Sequence, residues 1–308
     1  MRSCSVVIPS FNPDARKLER VLDALRLQTL DLDEWELIVV DNASAPPLAD
    51  RIDISWHPAA RCVVEHRVGS LNARVRGGTE ADSPLLIFVD DDNILRKDYL
   101  QQAILIAEQH PTLGVWSGQS HPEFESPPPE WAGSSLAMLA VWEFEEDEVC
   151  EDWNPSFRLP VSAGMCARRE VMQSYVGSCM ESPLRALLGR QGRSLMGSED
   201  EDFALHAFAQ GWAVGHFSRL HLTHLISSGR LRRDYLLELT AGMGASGVVL
   251  QRLYPQFVYS RPSRIPYFLR VLRHSLRRPG WERDRRLAYL RGERYGESKV
   301  RQILRAAH

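Results

Sequence analysis

Short apolar runs that end in polar residues recur through the first third of the chain. Residues 5–8, 35–40 and 85–89 are such runs. A short apolar run is typical of a strand that is buried on both faces of a parallel sheet. Since the carboxyl ends of parallel strands meet at one edge of a sheet, we expect the polar groups that follow the runs to gather there. These groups are Ser10 and Asn12, Asp41 and Asn42, and residues 90–93.

Helical periodicity alternates with these runs. Apolar residues at offsets of zero, three, four and seven from Leu18 predict a helix over residues 15–28. Residues 71–77 and 100–109 predict further helices, and residues 62–65 predict another strand. Strands that alternate with helices indicate an α/β fold with crossover connections. Residues 122–160 show no clear period and are predicted to be irregular.

The C-terminal part of the chain combines helical patterns with an uneven charge. Residues 230–254 predict a helix in which Leu231, Tyr235, Leu239 and Met243 recur every four residues. Residues 261–308 hold 14 Lys and Arg against 4 Asp and Glu, whereas residues 1–260 hold 23 against 36. An acidic body with a basic tail suggests a partner for the tail.

Residues 265–278 predict a basic amphipathic helix within this tail. Its apolar stripe consists of Tyr267, Phe268, Val271, Leu272 and Leu276, with arginines beside it. Such a helix binds anionic membrane surfaces, so peripheral membrane contact is one interpretation. A helix packed on the body with its arginines outward is the equal alternative. We do not expect a nucleic-acid partner, because the body is acidic and carries no recognition motif.

Composition indicates a soluble globular protein from a reducing compartment. The 308 residues carry a net charge of -3 and are 44% hydrophobic. The five cysteines are odd in number and none are paired at zinc-ligand spacing, so we expect free thiols. No signal peptide or long apolar run is visible. We therefore expect a cytoplasmic location, with the inner face of the cell membrane as the alternative if the tail binds lipid.

Three adjacent carboxylates follow the apolar run at residues 85–89. Asp90, Asp91 and Asp92 repel one another and raise each other's pKa values unless a positive charge lies among them. A divalent cation such as Mg²⁺ or Mn²⁺ suits oxygen ligands of this kind. Neither G-x-G-x-x-G nor a Walker sequence is present. The run therefore predicts a metal-dependent nucleotide site without a glycine cradle, and a solvated acidic turn is the alternative.

Four sequence blocks form an ordered series: residues 7–12 (VIPSFN), 39–44 (VVDNAS), 69–74 (GSLNAR) and 88–92 (FVDDD). In order and spacing they resemble the family 2 glycosyltransferases of GT-A fold, over roughly residues 3–230. The resemblance implies an α/β, Rossmann-like, mostly parallel sheet with flanking helices. It implies a GT-A domain at residues 1–228, with a nucleotide half at 1–115 and an acceptor half at 116–228, followed by a helical, basic C-terminal extension at 229–308.

The resemblance also implies roles for residues of the nucleotide half. Asp41 would contact the base, Asp90 the ribose or phosphate side, and Asp92 the metal on the sugar diphosphate. The implied nucleotide-binding residues are Pro9, Ser10, Asn12, Asp41, Asn42, Arg74, Asp90 and Asp91.

The acceptor half contributes an acidic block. Residues 199–202 open a predicted helix and resemble the family block that carries the general base. The resemblance implies Asp200 as the base, with Asp202 as the second candidate, and Glu199 as the residue that orients the acceptor or the base. The helix dipole also stabilises acids in a first turn, which by itself explains some of them.

The resemblance implies two further contacts. Residues 162–165 resemble a block that lines the donor sugar, which implies that Gly164 and Met165 lie there. A histidine some twenty residues beyond the base often completes the metal shell, which implies His224, with His221 as the alternative. An imidazole ligand makes Mn²⁺ as suitable as Mg²⁺.

Together these features predict a metal-dependent, inverting glycosyltransferase. It would move a sugar from a nucleotide-sugar donor, with UDP as the expected carrier, to a hydroxyl of a glycan or lipid-linked acceptor. Surface polysaccharide or glycoconjugate assembly is the expected setting. The alternatives are a catalytically silent nucleotide-sugar binding protein and, less favoured, a sugar nucleotidyltransferase. The second is less favoured because residues 8–13 are not the basic, glycine-rich loop that a triphosphate requires.

Overall fold

A single mixed sheet organises the part of the chain that the computed structural model describes, which is residues 2–192, 194–258 and 265–306. The strands are β1 Cys4–Ser10, β2 Trp35–Asp41, β3 Ala60–Val64, β4 Leu85–Phe88, β5 Asn93–Leu95, β6 Leu113–Phe124, β7 Glu148–Cys150, β8 Cys166–Arg168 and β9 Ala213–Ile226. Their order across the sheet is β3-β2-β1-β4-β8-β6-β9-β5, and β7 pairs with β9. The β3-β2-β1-β4 half is parallel throughout, while β8, β5 and β7 pair with their neighbours in antiparallel fashion.

Helices cover both faces of this sheet. They are α1 Ala15–Arg26, α2 Ser70–Glu80, α3 Tyr99–Gln109, α4 Arg169–Glu181, α5 Glu199–Ala209, α6 Arg233–Leu253, α7 Tyr267–Ser275 and α8 Trp281–Ala306. The α/β prediction with flanking helices and a helical C-terminal extension is confirmed.

Two hydrophobic cores explain why the strand sequences are apolar at consecutive positions. In β1, Val6 and Ile8 belong to the core beneath α1 and α3, whereas Val7 belongs to the core beneath α2, α4 and α5. All four residues of β4 are buried. A strand with helices on both sides is apolar on both faces, and a polar residue within it needs a partner, as Ser5 of β1 and Glu36 of β2 have in each other.

Residues 122–160 are more ordered than the sequence pattern predicts. Strand β6 continues to Phe124 because its residues Gln119 to Phe124 pair in parallel with β9. A 3₁₀ segment spans Glu130–Leu139, and β7 pairs with β9 from its other side. The partner strand lies about a hundred residues away in sequence, so no local period reveals this order.

The C-terminal extension packs on the body instead of standing apart from it. Leu236 and Leu239 of α6 share a core with Ala132 and Leu139 from the 3₁₀ segment. Val249 of α6 and Val300 of α8 form another core with residues of the body. The predicted boundary at residue 228 is therefore crossed by common cores. Residues 259–264, 307 and 308 of the predicted extension lie outside the described residues.

Helix α7 leaves part of its apolar stripe uncovered. Arg270 pairs with Glu293 of α8 at 2.5 Å, and the guanidinium of Arg294 lies 4.9 Å from the ring centre of Tyr267. Phe268 is 66% exposed and Leu272 is 51% exposed. Tyr267 and Val271 of the same stripe are partly buried and α7 contacts α8, so the helix packs on the extension through one part of the stripe and leaves the other part exposed. Of the helices in the described residues, none combines the length and apolar character that a membrane crossing requires.

Candidate functional site

One cavity of about 690 Å³ opens at the carboxyl ends of β1 and β4. Side chains from five parts of the fold line it. They are Pro9, Ser10 and Asn42 from the ends of β1 and β2, Arg74 from α2, Asp90, Asp91 and Asp92 after β4, Glu199, Asp200 and Glu201 from α5, and His224 and Arg230 from the end of β9 and beyond. The polar groups predicted to meet at one sheet edge do so.

An arginine and a serine hydroxyl bind the first two acids of the run after β4. Arg74 Nη2 lies 2.5 Å from Asp90 Oδ1, and Ser10 Oγ donates to Asp91 Oδ2 at 2.5 Å. Burial and the adjacent charge of Asp92 raise the pKa of Asp91 to about 7. Nε and Nη1 of Arg74 are buried and make no hydrogen bond with the described residues. This arginine therefore has donors available for an anion in the cavity.

Asp92 and His224 face each other with an arginine between them. His224 lies opposite Asn93 in the β5–β9 pair, which brings its Nε2 to 3.5 Å from Asp92 Oδ2. Arg230 Nη1 lies 2.9 Å from His224 Nε2 and 3.4 Å from Asp92 Oδ2. Although burial opposes it, the hydrogen bond to His224 and the charges nearby lower the pKa of Asp92 to about 2.

This point of the cavity fits a divalent cation as well as the guanidinium that it now contacts. A carboxylate oxygen and an imidazole nitrogen are ligands that Mn²⁺ accepts, and Mg²⁺ prefers the oxygen. In the described part of the chain, no group of three or more His, Cys, Asp and Glu residues is close enough to hold a metal. The described residues would thus supply only Asp92 and His224 as ligands of a cation, and Arg230 now lies beside both.

The first turn of α5 presents its acids to the same cavity. Ser70 Oγ donates to Glu199 Oε1 at 2.6 Å. The backbone N–H of Ser162 donates to Asp200 Oδ2 at 3.1 Å, and its hydroxyl lies 3.5 Å from Asp90 Oδ2. Ser162 therefore connects the acid of α5 with the acid that follows β4. Burial, followed by the charge of Asp200, raises the pKa of Glu201 to about 7.

Asp202 does not belong to the site, which corrects its place as second candidate for the base. Its side chain is fully buried beneath the helix. Arg185 forms an ion pair with Oδ1, while the hydroxyls of Tyr175 and Tyr254 each donate to the carboxylate at 2.8 Å. A carboxylate enclosed in this way has no path to an acceptor hydroxyl, and it anchors α5 instead.

The two residues predicted to line the donor sugar also lie behind the cavity wall. Gly164 has φ +69°, and its carbonyl accepts a hydrogen bond from the Tyr99 hydroxyl at 2.7 Å. Met165 is buried in the core beneath α2 and α4. Ser162 and Ala163 line the cavity in their place. The chain turns at Gly164, so that Ser162 and Ala163 line the cavity while Met165 lies in the core.

Asp41 and Asn12 hold loops and do not reach the cavity. The carboxylate of Asp41 accepts the backbone N–H groups of Ser44 and Leu48 at 2.8 and 2.9 Å. Asn12 Oδ1 accepts the N–H of Ala45 at 2.9 Å. The expected contact of Asp41 with a base, and the contact of Asn12 with the nucleotide, therefore lack support from this geometry. Asn42 does line the cavity.

Of the two histidines, His224 lines the cavity and His221 does not. His221 Nδ1 lies 3.1 Å from His121 Nε2, and the two rings stack away from the cavity. His224 faces Asp92 because it lies three residues further along the strand, on the opposite side of the pleat.

Sequence reasoning missed several residues of the site, among them Arg230 and Glu201. Arg230 carries no motif, and its only signal is a cationic side chain six residues after His224. Glu201 belongs to the acidic block, but its neighbours Asp200 and Asp202 took the proposed roles. Both residues line the cavity.

Known proteins resemble this chain in part. A family model described as glycosyl transferase family 2 matches residues 5–171, more than half of the chain. An uncharacterized protein, y4gI, of Sinorhizobium fredii is 27% identical over 115 residues, which are 36% of this chain and 12% of that protein. Glycosyltransferase AglE of Haloferax volcanii is 26% identical over 103 residues, which are 32% of this chain and 34% of that protein. The chain thus matches only a minor part of either relative's length.

Solved structures of S. aureus TarS resemble the whole fold. The TarS 1-349 complex with UDP has a TM-score of 0.53 at 16% identity, covering 97% of this chain and 91% of that one. The complex with UDP-GlcNAc has a TM-score of 0.53 at 15% identity, covering 97% and 92%. Against a longer TarS structure the chain covers 47% of that protein. At such identity the likeness concerns the fold, which agrees with the GT-A arrangement, and together with the family match it shows that this chain belongs to glycosyl transferase family 2.

Proposed function

We propose that the protein transfers a sugar from a nucleotide-sugar donor, UDP-linked, to an acceptor hydroxyl with inversion at the anomeric carbon. The observation that carries the proposal is the link through Ser162, which joins Asp200 to Asp90 across one cavity. A candidate base and a candidate diphosphate site are thereby neighbours. The family match and the UDP-GlcNAc complex of TarS, a protein of similar fold, support the choice of donor.

In this mechanism Asp200 accepts the proton of the acceptor hydroxyl as its oxygen attacks the anomeric carbon. General-base assistance of this kind contributes about 10²- to 10⁴-fold to a rate. The bond to the nucleoside diphosphate breaks in the same displacement, so no enzyme nucleophile is required. Glu199, held by Ser70 and close to Arg74, orients the acceptor or the base.

Negative charge develops on the leaving diphosphate, and cationic side chains lie where it would be stabilised. Arg74 offers unpaired N–H groups, and Arg230 lies at Asp92. Fixed positive groups in an enclosed site stabilise such charge more strongly than water does. A Mn²⁺ or Mg²⁺ ion held by Asp92 and His224 would supply Lewis-acid stabilisation of the diphosphate.

The test combines binding with turnover. UDP should raise the melting temperature of the protein, and Mn²⁺ should increase the effect, because ligands of the native state stabilise it. UDP release from UDP-GlcNAc, UDP-glucose and UDP-galactose should then appear with some member of a panel of glycan and lipid-linked acceptors. Asp200→Asn should lose about 10²- to 10⁴-fold of this rate and keep UDP binding.

A matched control is Glu297→Gln, an exposed acid paired with Arg301 on α8, a helix with no residue in the cavity lining, which should keep the full rate. UDP binding with no turnover on any acceptor would favour the catalytically silent binding protein. Pyrophosphate release from a nucleoside triphosphate and a sugar phosphate would favour the nucleotidyltransferase. Full turnover by Asp200→Asn would remove the assignment of the base.

We also propose that α7 brings the protein to the inner face of the cell membrane, where a lipid-linked acceptor of polysaccharide or glycoconjugate assembly would be found. The support is the exposed apolar set of Phe268, Leu272 and Leu276 on a helix that also exposes Arg273. Apolar side chains that insert below the headgroups and arginines that meet anionic lipid act together in such helices.

A further inference from the structure

The cavity has a second wall that the proposed chemistry does not use. Besides the charged groups, Met138, Leu139, Leu159, Tyr235, Leu239 and Met243 line the cavity, and this set is called the apolar wall below. Tyr235, Leu239 and Met243 come from α6, and Met138 and Leu139 come from the 3₁₀ segment. Leu159 lies in the loop before Ser162.

The α6 part of the wall is the every-fourth-residue stripe predicted from the sequence, and it does not serve packing alone. Leu236, next to the stripe, is completely buried in a core. Tyr235 is only half-buried, and Met243, which also lines the cavity, remains 39% exposed. Apolar side chains that line a cavity and stay partly exposed to water favour an apolar occupant.

The apolar wall lies beside the candidate base. Leu159 is three residues from Ser162, whose N–H holds Asp200. Gly242, one residue before Met243, packs against the carbonyl of Leu195, because a side chain there would overlap it. Leu195 leads directly into the turn that carries Glu199 and Asp200. The wall and the candidate base therefore line the same cavity.

The chemistry of the wall selects against a sugar at this place. Sugar hydroxyls buried against leucine and methionine would lose their hydrogen bonds to water without replacement. An aliphatic chain has no such groups, and methionine adapts to its shape. We infer that the acceptor carries an aliphatic group close to its reacting hydroxyl, and that the apolar wall binds this group. The inference rests on the proposed function, since it assigns the occupant as the acceptor.

The experiment compares n-octyl β-D-glucoside with methyl β-D-glucoside, below the micelle concentration, by calorimetric titration of the full chain with and without UDP. With UDP bound, the octyl compound should bind at least about tenfold more tightly, the gain expected from burial of about two methylene groups. Met243→Glu should lose this preference. Met180→Glu, an equally drastic change at an 84% exposed position on α4, should keep it.

Helix α7 offers a second apolar surface, so Leu272→Glu is titrated as well. The inference is overturned if the parent protein shows no octyl preference. It is also overturned if Met243→Glu keeps the preference, and loss of the preference in Leu272→Glu would then assign the octyl site to α7. Absence of UDP binding contradicts the proposed function alone. The octyl preference, and its loss in Met243→Glu, are also measured without UDP and so test the apolar wall separately. UDP that binds without an octyl preference contradicts the aliphatic acceptor alone.

Discussion

Asp200 and Asp202 lie two positions apart on α5 and face in nearly opposite directions. Two residues advance about 200° around a helix, so one side chain meets the cavity while the other meets the core. Asp202 accepts hydrogen bonds from Tyr175 and Tyr254 and pairs with Arg185. These three partners fix the turn of helix that presents Asp200.

Asp202→Asn should therefore weaken folding and not only chemistry. Removal of one charge from a buried ion pair leaves the other without a counter-charge, which costs about 3–5 kcal/mol of the free energy of unfolding. Urea denaturation measures the loss. Asp200→Asn, which gives up only the bond from the Ser162 N–H, is the comparison and should lose far less. Equal losses in the two variants would contradict the division of roles.

Glu201 should make stability depend on pH. Its folded pKa of about 7 lies above the usual 4.5, first because of burial and then because of the charge of Asp200, with Arg158 and Ser198 acting in the opposite sense. The native state therefore keeps a proton that the unfolded chain releases, and the free energy of unfolding falls as pH rises from about 4.5 to about 7.

Glu201→Gln should remove this part of the pH dependence, so that the variant gains stability over the parent protein as pH increases. Denaturation of both proteins at intervals from pH 5 to pH 8 measures the difference. Since every other titrating group is common to the two proteins, parallel curves would refute the raised pKa.

At the level of single residues, sequence identifies chemistry better than orientation. The acids at residues 90–92 and 199–202 are recognisable because strand ends and helix starts are the places where carboxylates gather. Which of them faces the cavity depends on helix rotation and on partners such as Arg185, which is distant in sequence. The ligand contacts expected of Gly164 and Asp41 are absent from this geometry for the same reason. The surrounding backbone, and not the residue type, decides which of these residues reach the cavity.

Among the elements, those with a local period were predictable and those stabilised by distant pairing were not. The helix expected at residues 15–28 occurs as α1 Ala15–Arg26, because its four buried side chains lie on one face. Strand β6 was not predicted, since its partner β9 lies far along the chain. Helix α7 was foreseen from its stripe, although the sequence left open whether the body covered that stripe.

The exposed stripe of α7 predicts binding to vesicles that contain anionic lipid. The protein should sediment with phosphatidylglycerol vesicles, less with phosphatidylcholine vesicles, and less at high salt. Leu272→Glu should reduce the partition coefficient at least about tenfold, because it removes an inserting side chain and adds a negative charge among arginines.

Leu27→Glu provides the control for this change. Leu27 is 71% exposed at the end of α1, away from the basic tail, and its substitution should leave sedimentation unaltered. Equal loss in both variants, or no loss in either, would assign the binding to another surface or to none.

For the molecule as a whole, the close contact of α6 with α8 holds the extension together, and the shared cores join it to the body. The two backbones approach at Gly244, Gly292 and Gly296, where a side chain would overlap a carbonyl of the facing helix. Close packing of α8 against α6 thus attaches the basic tail to the acidic body. The residues of the apolar wall lie on one side of α6, and α8 lies on the other.

Gly292→Ala should lower the free energy of unfolding by about 1–3 kcal/mol, because the added methyl group overlaps the carbonyl of Ala241. A single cooperative transition should remain, since the cores are shared. Gly177→Ala on α4, which has nothing within 4 Å of the added group, should instead gain up to about 1 kcal/mol from helix propensity. Two separate transitions in Gly292→Ala would show that the extension unfolds independently.

Tyr254 follows α6, well beyond both the family match at residues 5–171 and the expected domain end at 228, yet its hydroxyl holds Asp202. Anyone who trims this chain at either limit for expression or crystallisation would discard one of the groups that align the proposed base. Surveys that compare only the matched segment across genomes would overlook it too. The useful minimal fragment is therefore longer than homology suggests, and it includes residue 254.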